Sequence, residues 1–390
     1  MLRFLTAGES HGRGLLVIVE GLPAGLRVDA ADIDADLSRR QQGYGRGGRM
    51  KIEKDHAQIL SGVRHGYTLG SPVGLLIENR DWSNWQQAMA VEALEIPEEA
   101  LRPVHRPRPG HADLAGGVKY NRSDLRDVLE RASARETAAR TAAGALCRLL
   151  LSELGVEVAS HVVQVGEVAV AHPLDVPWEA IRSLPHDSPL GCTDPEVEQR
   201  MKDEVDRARK ARDSVNGAFQ VVARGMPAGL GSHVHWDRKL DGRILQAVGS
   251  IPAVKAVSIG AGVEGAALFG SHFHDEIFYD RDEKRFFRRT NRAGGLEGGV
   301  TNGEELRVTG YMKPLSTLPQ PLQSVDLRTH QPQEAAFERT DTTAIRAAGV
   351  IGEAMVCVVL AGAMLEKLGG DSLEEVRRNL DGYLQQVARY

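Results

Sequence analysis

Near the start of the chain, Gly8-Glu9-Ser10-His11-Gly12 sets a serine and a histidine in a glycine turn. Glycine lets the backbone turn sharply and approach a ligand closely. Histidine is the side chain whose proton moves most easily near neutral pH. His11 is therefore a candidate proton donor or acceptor, with Ser10 beside it. A second such segment runs Arg102-Pro103-Val104-His105-Arg106-Pro107-Arg108-Pro109-Gly110-His111-Ala112-Asp113. Its prolines fix the backbone and forbid regular helix, so His111 and Arg108 are held rather than free. Arg39, Arg40, Arg46 and Arg49 fall within eleven residues on a glycine-rich stretch. Guanidinium groups converging there can fork hydrogen bonds to a phosphate or to carboxylates. Lys313-Pro314-Leu315-Ser316-Thr317 adds one cation and two hydroxyls, and Arg339-Thr340-Asp341 adds a carboxylate. His272 and His274 have a metal-compatible spacing, but no carboxylate set beside them completes a site, so no metal is expected.

These residues need elements to position them. Apolar runs predict strands at 15–19, which reads as fully buried, and at 57–63, 73–77, 158–170, 219–223 and 254–259. A short helix over 30–40 is capped by Asp29 or Asp32. Ser133-Ala134-Arg135-Glu136 reads as a capping box opening an Ala-rich helix to Gly155. That helix start, with Arg131 and Arg135, is a candidate anion site. A charged helix spans 195–213, and another helix spans 238–247. Asp341 is the expected N-cap of the most apolar helix, and Ser372 caps the last one. The stretch from Asp81 to Ala100 reads as an exposed excursion.

One echo suggests internal repetition. Gly21-Leu22-Pro23-Ala24-Gly25-Leu26 and Gly225-Met226-Pro227-Ala228-Gly229-Leu230 each follow a strand and precede a short helix. The expectation is an α+β chain of two related halves, roughly 1–150 and 215–370. Each half is a sheet with helices on one face. Packed helix to helix, they give a sandwich of two sheets enclosing a helical layer, in one domain over 1–390.

Composition narrows the function classes. A formal charge of −5, a pI near 6.2 and 5% aromatics argue against nucleic acid as partner. An RNA-binding role for the arginine-rich loop is weakened by the same balance. Three widely spaced cysteines, Cys147, Cys192 and Cys357, exclude a disulfide framework and a cysteine zinc site and fit the cytoplasm. The N-terminus shows no signal peptide. The apolar run Ala354–Leu365 is bounded by glutamates and too short to span a bilayer.

The motifs together resemble the chorismate synthase family over essentially the whole chain. The resemblance rests on Gly8-Glu9-Ser10-His11-Gly12 leading to Gly21 and Pro23, on Arg131-Ala132-Ser133-Ala134-Arg135-Glu136-Thr137, and on Arg339-Thr340-Asp341 followed by Glu353. Arg108-Pro109-Gly110-His111-Ala112-Asp113 and Lys313–Thr317 agree. Ala132 and Thr340 depart from the commoner family residues without removing an essential titrating group.

The resemblance implies a fold of two antiparallel sheets around helices with an internal twofold. It implies loss of phosphate and the C6 pro-R hydrogen from 5-enolpyruvylshikimate 3-phosphate in a trans-1,4 elimination, giving chorismate, the last shikimate-pathway step. It also implies reduced FMN, which lends electron density as the C–O bond breaks and recovers it as the hydrogen leaves. Carried over, His11 lies near the leaving phosphate and His111 near the flavin pyrimidine. Asp341 helps take the C6 proton through flavin N5, and Ser10 and Ser133 hold the hydrogen-bond network. Arg40, Arg46, Arg49, Arg108 and Arg135 bind substrate. Flavin contacts fall to Arg131, Ala132, Ser133, Pro252, Ala253, Gly298, Lys313, Pro314, Leu315, Ser316, Thr317 and Arg339. An external flavin reductant and a homotetramer are further implications. The competing reading is a flavin-dependent oxidoreductase using NADPH, for which the sequence lacks a G-x-G-x-x-G between strand and helix.

Overall fold

The structure is a computed structural model that describes residues 1–47, 54–338 and 341–390. Arg49, Arg339 and Thr340 lie outside the described residues. Two antiparallel sheets dominate. The first runs in the order β1 (Arg3–Ala7), β2 (Gly14–Glu20), β4 (Val73–Glu78), β3 (Ala57–Ser61). Its register pairs Leu5 with Ile18 and Val17 with Leu75. The second runs in the order β8 (Val254–Ile259), β9 (Leu306–Met312), β7 (Gly217–Arg224), β5 (Glu157–Val165), β6 (Val168–Ala169). Strand β2 is buried on one face only. Leu15, Val17 and Val19 face the core, while Leu16 and Ile18 are about half exposed. Its unbroken apolar run had read as buried on both faces.

The helices α1 (Ala30–Gln41), α4 (Thr137–Glu153) and α7 (Ile345–Leu368) pack on one another. Helix α4 also contacts β2 of the first sheet, and α7 contacts β5 and β7 of the second. One core cluster runs continuously through both sheets and these helices. Helices α4 and α7 meet closely at Gly144, where an added Cβ would lie 2.3 Å from the Cβ of Ala354. Any larger residue there would push the two helices apart. Helix α7 has 24 residues and is long and apolar enough to cross a membrane, a length the glutamate-bounded run did not reveal. With 78% of its most apolar window buried inside the protein, it is a core helix.

Asp29 caps α1 by accepting from the Ala31 N–H at 3.0 Å, as the sequence suggested. Two other caps differ. Helix α7 starts at Ile345 with Ala344 in the cap position, and Asn216 accepts from the Ala344 N–H at 3.0 Å. Asp341 is thereby left for another role. Ser133 accepts from the Arg135 N–H at 3.3 Å and opens a short 3₁₀ turn before α4. Glu136 does not close the box; it accepts from Thr6 at 3.0 Å and from Arg140 at 2.9 Å.

The two echoed turns share one hydrogen-bond pattern. Thr68 Oγ1 donates to the Pro23 carbonyl at 2.6 Å and accepts from the Leu26 N–H at 2.9 Å. Thr301 Oγ1 donates to the Pro227 carbonyl at 2.7 Å and accepts from the Leu230 N–H at 2.8 Å. The C-terminal segment touches both turns: Leu373 N–H donates to Ala24 O at 2.8 Å, and Tyr383 OH to Ala228 O at 2.8 Å.

Candidate active site

The turn after β1 begins at Gly8, where φ is +103° and an added Cβ would lie 2.2 Å from Gly14 O. A side chain there is excluded twice, by conformation and by space. Asn79, following β4, clamps the turn by donating to Glu9 O at 3.0 Å and Gly12 O at 2.8 Å. Its own carbonyl accepts from Arg135 Nε at 2.9 Å. The turn and the arginine are thus set by one amide.

His11 is held on two sides. Its Nδ1 lies 2.9 and 3.0 Å from the two carboxylate oxygens of Glu130, at the end of α3 (Arg126–Ala132). Its ring stacks on Trp85, centroid to centroid 3.9 Å. Trp85 Nε1 donates to Asp81 at 3.1 Å, and the guanidinium carbons of Arg102 and Arg126 lie 4.2 and 4.9 Å from the Trp85 ring. Residues 80–84 form a 3₁₀ turn that delivers Trp85 to His11. This corrects the reading of Asp81–Ala100 as exposed at its first residues, since Asp81 and Trp85 are both buried.

Burial alone would raise the Glu130 carboxyl. The hydrogen bond and charge of His11, with Arg126, outweigh burial and hold it below the usual range. A carboxylate accepts only, so in this pair His11 Nδ1 is the donor.

His111 repeats the device. Its Nδ1 lies 2.6 Å from Asp113 Oδ1, at the start of α2 (Asp113–Tyr120). Arg108 donates to the same carboxylate from Nε at 2.8 Å and from Nη2 at 3.1 Å, and reaches Thr317 Oγ1 at 3.0 Å. Asp113 is buried, which opposes ionisation, yet its bonds to His111 and Arg108 keep it ionised well below the usual range.

Arg40 and Arg135 share one carboxylate. Asp55 accepts from Arg40 Nη2 at 2.7 Å and from Arg135 Nη1. Asp55 thus seats two guanidiniums side by side in a buried wall. Arg40 is pulled down to about 10, first by burial and then by the Arg135 charge, against the pull of Asp55. It still stays protonated at neutral pH, and among the described residues its Nε has no hydrogen-bond partner. Asp341 turns back to the loop after α1: Arg46 Nη1 lies 3.0 Å from its Oδ2, and Gly47 N–H donates to its Oδ1 at 2.6 Å.

A cavity of about 900 Å³ collects these groups. Ser10, His11, Arg40, Arg46, Arg108, His111, Ala132, Ser133, Arg135, Pro252, Ala253, Lys313, Leu315, Ser316, Thr317 and Asp341 all line it. Ser133 Oγ donates to Ser10 Oγ at 3.2 Å, joining two of the expected hydroxyls. Pro314 is not on the wall, although its neighbours are, and its carbonyl accepts from Lys313 Nζ at 3.3 Å. Two expected residues sit elsewhere. Arg131 turns away to the carbonyls of Gly8 at 3.1 Å and Thr6 at 3.0 Å. Gly298 forms the turn of a hairpin pairing Leu296 with Thr301. Sequence reading missed Glu130, Trp85, Asp113, Asn79 and Asp55. The available signal was a tryptophan pair in a polar stretch and an acid directly before Arg131.

Lys313 donates to Ser316 Oγ at 2.9 Å and forms no ion pair among the described residues. Burial lowers its pKa, with Lys255 adding to the effect. This half-buried ammonium, and the Arg40 Nε, suit anionic groups in the cavity. No group of three or more His, Cys, Asp or Glu that could hold a metal occurs among the described residues.

A family model described as chorismate synthase matches residues 2–365. The chain is 58% identical over 389 residues to the chorismate synthase of Moorella thermoacetica, covering 99% of each. It is 55% identical over 392 residues to that of Solibacter usitatus, covering 100% of each. A solved structure titled as the crystal structure of chorismate synthase superposes with a TM-score of 0.80 at 43% identity, covering 100% of this chain and 99% of that one.

Proposed function

The chain belongs to the chorismate synthase family, and on that premise we propose how its cavity carries out the elimination. The activity is that of a carbon–oxygen lyase acting on 5-enolpyruvylshikimate 3-phosphate. One observation carries the residue assignments. A single cavity brings together both histidines, Asp341 and four of the five expected arginines. The substrate bears a phosphate and two carboxylates, and Arg40, Arg46, Arg108 and Arg135 supply the opposing charge. Arg49 is kept in this set on resemblance alone.

In the reaction the bonding pair of the breaking C–O bond leaves with the phosphate and the C6 proton passes to a base. Nothing is oxidised overall. Doubly protonated His11 gives its Nε2 proton to the departing phosphate and is left neutral with the remaining proton on Nδ1 against Glu130, and the Ser133–Ser10 hydroxyl pair orders the hydrogen bonds beside it. Asp341 is the final acceptor for the C6 proton. His111, with its Nδ1 directed at Asp113, presents Nε2 to the second occupant of the cavity.

That occupant is reduced FMN, which supplies electron density while the C–O bond breaks. The cavity fits it: Lys313, Ser316 and Thr317 offer a cation and hydroxyls, and Gly110 leaves space beside Ser316 and Lys313. Ala132, Ser133, Pro252, Ala253 and Leu315 would hold it. Arg131, Gly298, Pro314 and Arg339 remain flavin contacts by resemblance.

The shared hydrogen-bond pattern at Thr68 and Thr301 supports two related halves in one domain over 1–390, forming a two-sheet sandwich. The exposed apolar row Leu5, Leu16 and Ile18 supports a homotetramer. Three buried free cysteines support the cytoplasm, and the missing dinucleotide fingerprint supports an external reductant.

The test is anaerobic turnover of 5-enolpyruvylshikimate 3-phosphate with photoreduced FMN. Wild type should form chorismate and phosphate, while His11→Ala and His111→Ala should lose turnover with circular dichroism unchanged. A folded, flavin-bound wild type that releases no phosphate would sink the assignment. NADPH oxidation by the protein alone would revive an oxidoreductase role.

A further inference from the structure

Glu130 is buried, and among the described residues its carboxylate is bonded to His11 and Arg126 alone. Its backbone carbonyl accepts from the Ser10 N–H at 2.9 Å. Its carboxylate accepts from the His11 N–H at 2.8 Å and faces His11 Nδ1 at 2.9 and 3.0 Å. Arg126, one helical turn earlier, donates to it at 2.8 Å. One residue thus holds the backbone of Ser10 and both the backbone and ring of His11. Trp85 closes the ring's face at 3.9 Å. A buried carboxylate is costly unless its oxygens are fully used, and here two of its three donors belong to His11.

We propose that Glu130 is the positioning residue of His11, selecting the nitrogen that carries the exchangeable proton and fixing the ring plane against Trp85. The kinetic consequence rests on the reading of His11 as proton donor to the leaving phosphate. Glutamine at this position tests the chemistry. Its amide offers one accepting oxygen and one donating NH₂, but three donors face it: His11 N–H, His11 Nδ1–H and Arg126. The amide must either oppose one of them or donate to Nδ1. The latter moves the imidazole proton to Nε2.

The experiment compares wild type and Glu130→Gln as full chains carrying ring-¹⁵N histidine. Solid-state ¹⁵N spectra separate the two neutral tautomers, and the His11 signal is identified by its loss in His11→Ala. Wild-type His11 should show Nδ1–H, and Glu130→Gln should shift population to Nε2–H. In the anaerobic assay the variant's kcat should fall on the order of 10²-fold, with KM changed by less than about threefold. Should Glu130→Gln fail to fold, Glu130→Ala, which removes the accepting carboxylate altogether, reads the same signals. An unchanged tautomer overturns the proposal even if His11→Ala is inactive. A shifted tautomer with wild-type kcat overturns the positioning role. If His11→Ala turns over like wild type, the reading of His11 falls, and the tautomer result then stands apart from catalysis.

Discussion

His11 lies nearly parallel to Trp85, with ring centroids 3.9 Å apart and planes 21° from parallel. The indole cannot titrate, so its part is geometric. Aromatic stacking of this kind contributes about 0.5–1.5 kcal/mol beyond burial. Trp85→Leu should therefore lower kcat by up to about tenfold, and Trp85→Phe, which keeps a ring face, should lower it less. Saturating anaerobic turnover measures both. Equal losses in the two variants would mean that the ring face is not what matters.

Asp341 is held by Arg46 and by the Gly47 N–H, 3.0 and 2.6 Å away. The loop after α1 and the start of α7 therefore meet at the carboxylate assigned to the C6 proton. Asp341→Asn keeps the size and can still accept from Gly47, but it cannot take up the proton. Its kcat should fall by on the order of 10²-fold or more, while substrate affinity changes little. Single-turnover phosphate release with pre-bound substrate separates the two quantities. A variant with wild-type kcat would assign the proton to another group.

Much of this arrangement was legible because it is local. Strand β8, Val254–Ile259, matches the expected 254–259, and Asp29 caps α1, because a residue's own neighbours decide both. The gathered histidines and arginines were legible because glycine, proline and charge marked their loops. What escaped depends on partners distant in sequence. Trp85 looked solvated because its stacking partner, His11, lies on another strand's turn. Asp341 looked like a helix cap because only the fold reveals that the helix starts later, at Ile345, with Asn216 accepting from the Ala344 N–H. Glu130 could not be singled out, because the partner that gives it a role, His11, lies 119 residues away in the chain.

Glu353 shows how the core supports the arginine wall. It is fully buried and accepts from Arg39 Nη2 at 2.7 Å, Arg148 Nη2 at 2.6 Å and Ser160 Oγ at 2.6 Å. Arg39 adjoins Arg40 on α1, so this network seats the helix that carries the cavity arginine. Burial opposes ionisation, but Arg39 and Arg148 outweigh it and hold the carboxyl at about 2, against the ordinary 4.5. A depressed carboxyl contributes stability that is complete above 4.5 and is lost as pH falls towards 2. Glu353→Gln should lose about 3–5 kcal/mol at neutral pH and unfold with a shallower pH dependence below 4.5. Thermal midpoints between pH 6 and 3 decide it, and parallel curves for the two proteins would refute it.

His161 carries the opposite kind of burial, on β5 within the second sheet. Its Nε2 lies 3.3 Å from Gln220 Oε1, which also accepts from Arg307 Nη1 at 3.2 Å, and among the described residues its Nδ1 has no hydrogen-bond partner. Arg307 fastens the covering segment through Val176 O at 2.8 Å. Desolvation is the main cause that lowers His161 from the ordinary 6.5 to about 4; Gln220 opposes it and the Arg307 charge adds to it. The folded ring stays neutral where the unfolded one takes a proton. Stability is therefore complete above pH 6.5 and falls as pH drops to 4, by about 3 kcal/mol at roughly 1.4 kcal/mol per unit. His161→Phe removes the titrating group and keeps a ring in the space, so its unfolding free energy should decline less between pH 7 and 5. Denaturant unfolding at those two pH values gives the comparison. Equal declines in wild type and variant would show that His161 is not what ties this face of the sheet to pH.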